Sequence, residues 1–165
     1  MTMAPDSPTT TAGVVLRPVT DADREFLIDV YGSTREDELA RVDWTPVERA
    51  AFVRMQFDAQ DASYRAQNPE GAFDVIEVGG QRAGRLYVDR RPGEIRIVDI
   101  SLLPAFRGVG VGSALISELQ AEAAATGRAL TIHVEVHNPA ARLYARLGFV
   151  VAAERGVYRR MEWTP

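Results

Sequence analysis

The sequence contains no cysteine, which excludes disulfides, thiolate metal sites and an acyl-cysteine intermediate. Histidine is nearly as scarce, with His133 and His137 the two in the chain, so no histidine-built metal centre is expected. No apolar run approaches the roughly 18 residues that a membrane-spanning helix needs. Residues 1–12 are rich in Thr, Pro and Ala and lack both a basic start and an apolar stretch. They read as a disordered tail and not as a secretory signal. There is no excess of positive charge either: the net charge is -4, which argues against nucleic acid as a partner. These absences point to a cytoplasmic protein that uses no metal, membrane or nucleic acid.

What is present suits one globular domain over residues 13–165. The chain has 165 residues, 46% hydrophobic and 25% charged, enough for one core and too few for two. Val14–Arg17 reads as a strand, and Thr20-Asp21 caps a helix carrying Phe26, Leu27 and Val30. Thr45-Pro46 with Glu48 opens a second helix, whose Phe52, Val53, Met55, Gln56, Phe57 and Gln60 recur at helical spacing. The period then changes to two. Phe73–Val78 and Arg82–Val88 form a hairpin about Gly79-Gly80, and Arg91-Pro92-Gly93 turns the chain into a longer strand, Glu94–Leu102. Gly110–Thr126 is an amphipathic helix ended by Gly127. A strand over Leu130–Val136, a short helix over Pro139–Leu147 stopped by Gly148, and a single last strand over Gly156–Trp163 complete the pass. A strand–helix–strand crossover within a mostly antiparallel sheet predicts a mixed α/β fold with helices packed on the sheet.

The most informative stretch joins a strand to a helix: Leu103-Pro104-Ala105-Phe106-Arg107-Gly108-Val109-Gly110-Val111-Gly112-Ser113. Three glycines remove Cβ atoms where the chain turns, so main-chain N–H groups can close on an anion. The following helix adds its positive end, and Arg107 a full charge. A phosphate-binding P-loop needs a lysine after its glycines, and none follows here. A dinucleotide fingerprint reads G-x-G-x-x-G near the start of repeated βαβ units, whereas this turn reads G-x-G-x-G late in the chain. A plain glycine-rich turn without a ligand is the remaining bland reading.

Two motifs resemble the GNAT (Gcn5-related) N-acetyltransferase family. One is Ile100-Ser101-Leu102 followed by Arg107-Gly108-Val109-Gly110-Val111-Gly112, which fits the R-x-x-G-x-G signature. The other is Asn138-Pro139-Ala140-Ala141-Arg142-Leu143-Tyr144-Ala145-Arg146-Leu147-Gly148-Phe149. The likeness runs from Arg17 to Trp163 and is strongest from Asp99 to Phe149. It implies a mostly antiparallel sheet with a splayed parallel pair and flanking helices, and acetyl-CoA as cofactor. The implied reaction is direct transfer of the acetyl group to a primary amine of a small molecule or peptide. A homodimer is common among such proteins. The resemblance places the pantetheine arm along the main chain of Ile100, Ser101 and Leu102, and the pyrophosphate on Arg107, Gly108, Val109, Gly110, Val111, Gly112 and Ser113. It makes Tyr144 the proton donor to the leaving thiolate, a task that suits a neutral phenol. The family's asparagine stands seven residues before that tyrosine; here His137 holds that position and Asn138 stands one closer, so either the loop is one residue tighter and Asn138 is the cofactor contact, or His137 replaces the asparagine.

The attacking amine must lose a proton, because an ordinary lysine-like amine is protonated at neutral pH. The strands beside the splay offer Asp99, Glu135, Glu94 and His133, of which the carboxylates Glu135 and Asp99 are the leading bases. Arg96 stands where some relatives carry a glutamate base. Regular alternation places Glu94, Arg96, Val98, Ile100 and Leu102 on one face and Asp99 on the other, unless a bulge shifts the register. Met55, Gln56, Phe57, Gln60, Tyr64 and Tyr87 are candidates for the acceptor side, with core packing the competing reading for Phe52, Val53 and Phe57. A coenzyme A-binding domain without turnover is the alternative function.

Overall fold

The computed structural model describes residues 13–165, so the tail expected over residues 1–12 lies outside the described residues. Seven strands form one sheet in the order β1-β2-β3-β4-β5-β7-β6. These are β1 (Val14–Pro18), β2 (Ala72–Val78), β3 (Gln81–Arg90), β4 (Glu94–Leu102), β5 (Ala129–Glu135), β6 (Val150–Arg155) and β7 (Tyr158–Trp163). The helices are α1 (Arg24–Ser33), α2 (Glu36–Leu39), α3 (Pro46–Gln67), α4 (Val111–Thr126) and α5 (Ala141–Arg146). Every neighbouring pair is antiparallel except β4 and β5, whose parallel pairing requires the α4 crossover. Among the described residues, no helix is long and apolar enough to cross a membrane.

Local chemistry sets the helix ends. Thr45 and Glu48 cap α3 reciprocally, Glu48 N–H donating to Thr45 Oγ1 at 3.2 Å and Thr45 N–H to Glu48 Oε1 at 3.1 Å, with Pro46 in the first turn. Gly127, at φ 65°, ends α4, where Arg128 N–H reaches back to the Ala123 carbonyl.

Two apolar cores lie on opposite faces of the sheet. The larger joins Val111, Leu115, Ile116, Leu119 and Ala123 of α4 and Tyr144 of α5 to Ile95, Ile97, Leu130, Ile132, Val134 and Met161. The smaller packs Phe26, Leu27, Val30 and Tyr31 of α1 and Phe57 of α3 onto Val75. Each fully buried side chain of this kind contributes about 1.5–3 kcal/mol. Phe57 is therefore core, whereas Met55 is 57% exposed and stands apart from the site.

Two features depart from the sequence reading. The single expected last strand is a hairpin: β6 and β7 are joined at Gly156, and β7 inserts between β5 and β6. All six residues of β6 are exposed, since it is an edge strand whose Val-Val-Ala-Ala run has no alternation to betray it. The second departure lies within β4. Tyr87 pairs with Asp99 but Val88 pairs with Ile97, so Val98 is an extra residue. This bulge reverses the alternation beyond it. Ile95 and Ile97 face the α4 core, and Ile100 and Leu102 pack against the same core. Asp99 and Ser101 therefore share the opposite face with Glu94 and Arg96, against the regular-strand expectation.

Candidate active site

The bulge coincides with the end of the β4–β5 pairing. Parallel partners run from Glu94↔Ala129 to Ile97↔Ile132 and stop there, although both strands continue. Beyond Ile97, β4 keeps its partnership with β3, through Ile100↔Leu86 and Leu102↔Gly84, while β5 stays with β7. The facing edges of residues 98–102 and 133–135 thus lack strand partners and form an open fork. Unpaired strand edges bind extended chains readily, because their N–H and C=O groups are already aligned. Ile100, Ser101 and Leu102 lie along this edge.

At the mouth of the fork, Phe106 and Arg107 close a short turn. The six consecutive N–H groups from Gly108 to Ser113 donate to no described residue; the first reciprocated amide is Ala114, to the Gly110 carbonyl at 3.0 Å. Gly108 and Gly110 have φ of 71° and 90°, a left-handed conformation that turns successive amides to a common side, as in an anion-binding nest. The last three of these amides belong to the first turn of α4, which adds the positive helix end. Gly112 leaves space between the side chains of Leu102 and Leu143. This donor set suits a diphosphate. Arg107 itself turns back, donating from Nε to the Leu102 carbonyl at 2.8 Å and from Nη2 to Ser33 Oγ at 3.2 Å. Val109, at the tip, is 68% exposed.

Tyr144 comes from α5 and is buried with its ring 5.9 Å from that of Phe149. Burial, aided by the negative charge of Asp99, pushes its phenol well above the usual range. Its hydroxyl makes no hydrogen bond to a described residue. Asn138 lies in the turn after β5, where its Oδ1 accepts from Ala140 N–H at 2.9 Å. His137 and Asn138 line an open groove of about 660 Å³ beside α5, on the β6–β7 side.

Asp99 sits among donors. It accepts from Tyr64 Oη at 2.8 Å, Arg85 Nη2 at 3.0 Å and Ser101 Oγ at 2.6 Å. Arg85 is buried, also donates to Gln60 Oε1 at 2.7 Å, and lies over the Tyr87 ring. Burial and the neighbouring Asp99 raise the Tyr64 phenol far above its ordinary value, so Tyr64 stays a donor. The structure thereby gathers Gln60, Tyr64 and Tyr87 around Asp99, and adds an arginine that sequence reasoning missed. Arg85 gives one signal, a charge within the buried middle of β3, but its partners lie 14 and 25 residues away in sequence.

The other candidates share the open face of β4, β5 and β7. Glu94 accepts from Thr131 Oγ1 at 2.9 Å, Arg160 Nη2 at 3.2 Å and Arg96 Nη2 at 3.0 Å. Burial opposes its ionisation, but these donors outweigh it and lower its pKa. Glu135 is 40% exposed and has one distant cation, Arg35 Nη1 at 3.7 Å. The chain has no lysine, and all 19 of its Lys+Arg side chains are arginines.

A forked mixed sheet with a bare-amide turn at its mouth defines the architecture of acyl-coenzyme A N-acyltransferases. The chain belongs to the GNAT acetyltransferase family: the profile of the acetyltransferase (GNAT) domain matches residues 69–151. Solved structures agree in fold. The PaiA N-acetyltransferase of Thermoplasma acidophilum, in complex with coenzyme A, superposes with a TM-score of 0.69 at 16% identity over 92% of this chain and 99% of that one. RimL, a ribosomal L7/L12 α-N-protein acetyltransferase, gives 0.66 at 17% identity over 95% and 93%. The yncA protein of Salmonella typhimurium, with its cofactor acetyl-CoA, gives 0.56 at 20% identity over 92% and 94%. No curated protein sequence matches the chain.

Proposed function

We propose that this protein transfers an acetyl group from acetyl-CoA to a primary amine of a small molecule or peptide, by direct attack in a ternary complex. The observation that carries this reading is the run of six unpartnered amides at the mouth of the β4–β5 fork. Bound acetyl-CoA supplies an electrophilic thioester carbonyl and a good leaving group. The amides of Gly108 to Ser113 hold the diphosphate, and the free edge of Ile100, Ser101 and Leu102 orients the pantetheine arm as an added strand. Fixed main-chain donors along that edge stabilise developing negative charge by a few kcal/mol, about 2.7–4 for a single donor in well-studied hydrolases. Asn138 adds a polar contact from the β5 side.

Tyr144 holds a proton on its Oη at neutral pH, available to a departing thiolate. Its unengaged hydroxyl favours turnover over a merely coenzyme A-binding role. Asp99, saturated by three donors, orients the Tyr64 hydroxyl and Ser101. Glu135 is the more exposed of the two candidate carboxylates, suited to meet an incoming ammonium group on the acceptor side.

Thermal unfolding tests the reading. Acetyl-CoA at a hundred times its Kd adds about 2.7 kcal/mol and raises Tm by about 5–10 °C, while ATP leaves it unchanged. Equal shifts from both ligands, or none from acetyl-CoA, refute the assignment. Thiol release across a panel of amines then identifies the acceptor.

A further inference from the structure

On the open face of β4, β5 and β7 each carboxylate has a cationic partner, and one basic group has none. Glu94 binds Arg96 and Arg160, Glu162 binds Arg160, and Asp99 binds Arg85. His133 is exposed in the middle of this face, and neither ring nitrogen bonds a described residue. It is also the first β5 residue past the fork, since Ile132 is the last to pair with β4. Its neighbour on β7 is Arg160. The charged groups facing it are Glu94, Arg96 and Asp99 of β4, Arg160 and Glu162 of β7, Glu135 two residues along its own strand, and Arg35 before α2. Partial desolvation against the sheet, together with Arg96 and Arg160, holds the imidazole below its ordinary 6.5, and Glu94 opposes this only in part. The ring is therefore unprotonated at neutral pH, with a lone pair to offer.

We propose that His133 takes the proton from the acceptor amine, an assignment that rests on the acetyltransferase reading above. An ammonium group loses two protons on becoming an amide. One passes to the imidazole of His133 and on to solvent, freeing the nitrogen lone pair that forms the N–C bond. The other leaves the nitrogen as the C–S bond breaks and replaces the proton that Tyr144 gives to the sulfur, which keeps the C–S electron pair. A protonated amine and a thioester thus give an amide, a thiol and one released proton. Imidazole is the better base here, because general bases work best with a pKa near the working pH. Glu135 remains as the carboxylate that draws the ammonium group in.

Two measurements on the whole protein decide this. With two histidines in the chain, NMR resolves both imidazole titrations, and His133→Gln assigns them. His133 is expected to titrate below 6.5; titration well above about 7, which would leave the ring charged at neutral pH, overturns the proposal. In steady-state kinetics, His133→Gln should lower kcat/KM about 10²-fold near pH 7 and abolish the acid limb of the pH profile, leaving the activity to follow ionisation of the free amine. A variant with the wild-type limb, or within about twofold of wild-type kcat/KM, overturns it as well. Coenzyme A affinity, measured by calorimetry, is expected to be unchanged by the substitution, and its loss would reduce His133 to a structural residue. Wild-type protein that bound no coenzyme A would defeat the acetyltransferase reading instead, while the NMR titration would still judge the histidine.

Discussion

Tyr144 stays a neutral phenol because burial and the charge of Asp99 both oppose its ionisation. A group so placed stays protonated at neutral pH and keeps a hydroxyl that can donate to a departing sulfur. Tyr144→Phe is accordingly expected to lower kcat about 10²-fold with coenzyme A affinity intact, as single-turnover kinetics and calorimetry would read. A variant as fast as wild type removes the hydroxyl from the chemistry. The candidate site residues divide into those a reader of the sequence can find and those it hides. Tyr144 stands in a recognisable Leu-Tyr-Ala-Arg-Leu-Gly-Phe run, and the glycine turn announces itself through residues that only such backbone needs. Asp99 is legible as a carboxylate near the fork, but its saturation is not. Tyr64 and Arg85 reach it from distant positions in the chain, brought together by packing alone.

At the level of elements, long helices with explicit ends were the easiest to read. Thr45-Pro46 and Glu48 mark the start of α3 because each supplies a partner to an amide that would otherwise have none. The bulge at Val98 was invisible for a physical reason. A strand with one extra residue has the same composition as a regular one, and only the pairing partner exposes the slip. Yet that residue shapes the candidate site, since it turns Asp99 to the face of Glu94 and Arg96 and coincides with the end of the β4–β5 pairing. Deleting Val98 should let the parallel pairing extend past Ile97↔Ile132 and close the fork. The expected result is coenzyme A binding weakened about tenfold or more, with circular dichroism unchanged. Unaltered affinity in the deletion variant would detach the bulge from cofactor binding. The edge strand β6 escaped the sequence reading in a related way, because exposure on both faces leaves no periodic pattern.

Across the whole molecule, arginine–carboxylate pairs stitch the helices to the sheet and to one another. One such pair joins the β1 end to the start of α1: Asp23 accepts from Arg17 at 2.7 and 2.8 Å and from Thr20 N–H at 2.8 Å. The Arg17 bonds, with the Thr20 amide and Arg82, hold the Asp23 carboxyl well below the usual range against the cost of burial. A depressed carboxyl stabilises the fold fully above its unfolded pKa of about 3.9, and the contribution is lost as pH falls below that towards the folded value. Stability should therefore decline from about pH 4 downwards, and Asp23→Asn, costing about 2 kcal/mol at pH 6, should flatten that decline. Urea midpoints at pH 6 and pH 3 measure both. Equal midpoints for the two proteins at pH 6 would remove Asp23 from the stability of the α1 junction.

The exclusive use of arginine carries a chemical consequence of its own. A guanidinium is never deprotonated in a protein under ordinary conditions, and so has no nucleophilic nitrogen to offer a thioester. A catalyst whose surface presents no lysine ε-amine leaves none of those groups to be modified by its own reagent. Its charges, and the ion pairs built on them, stay intact however concentrated the acyl donor becomes.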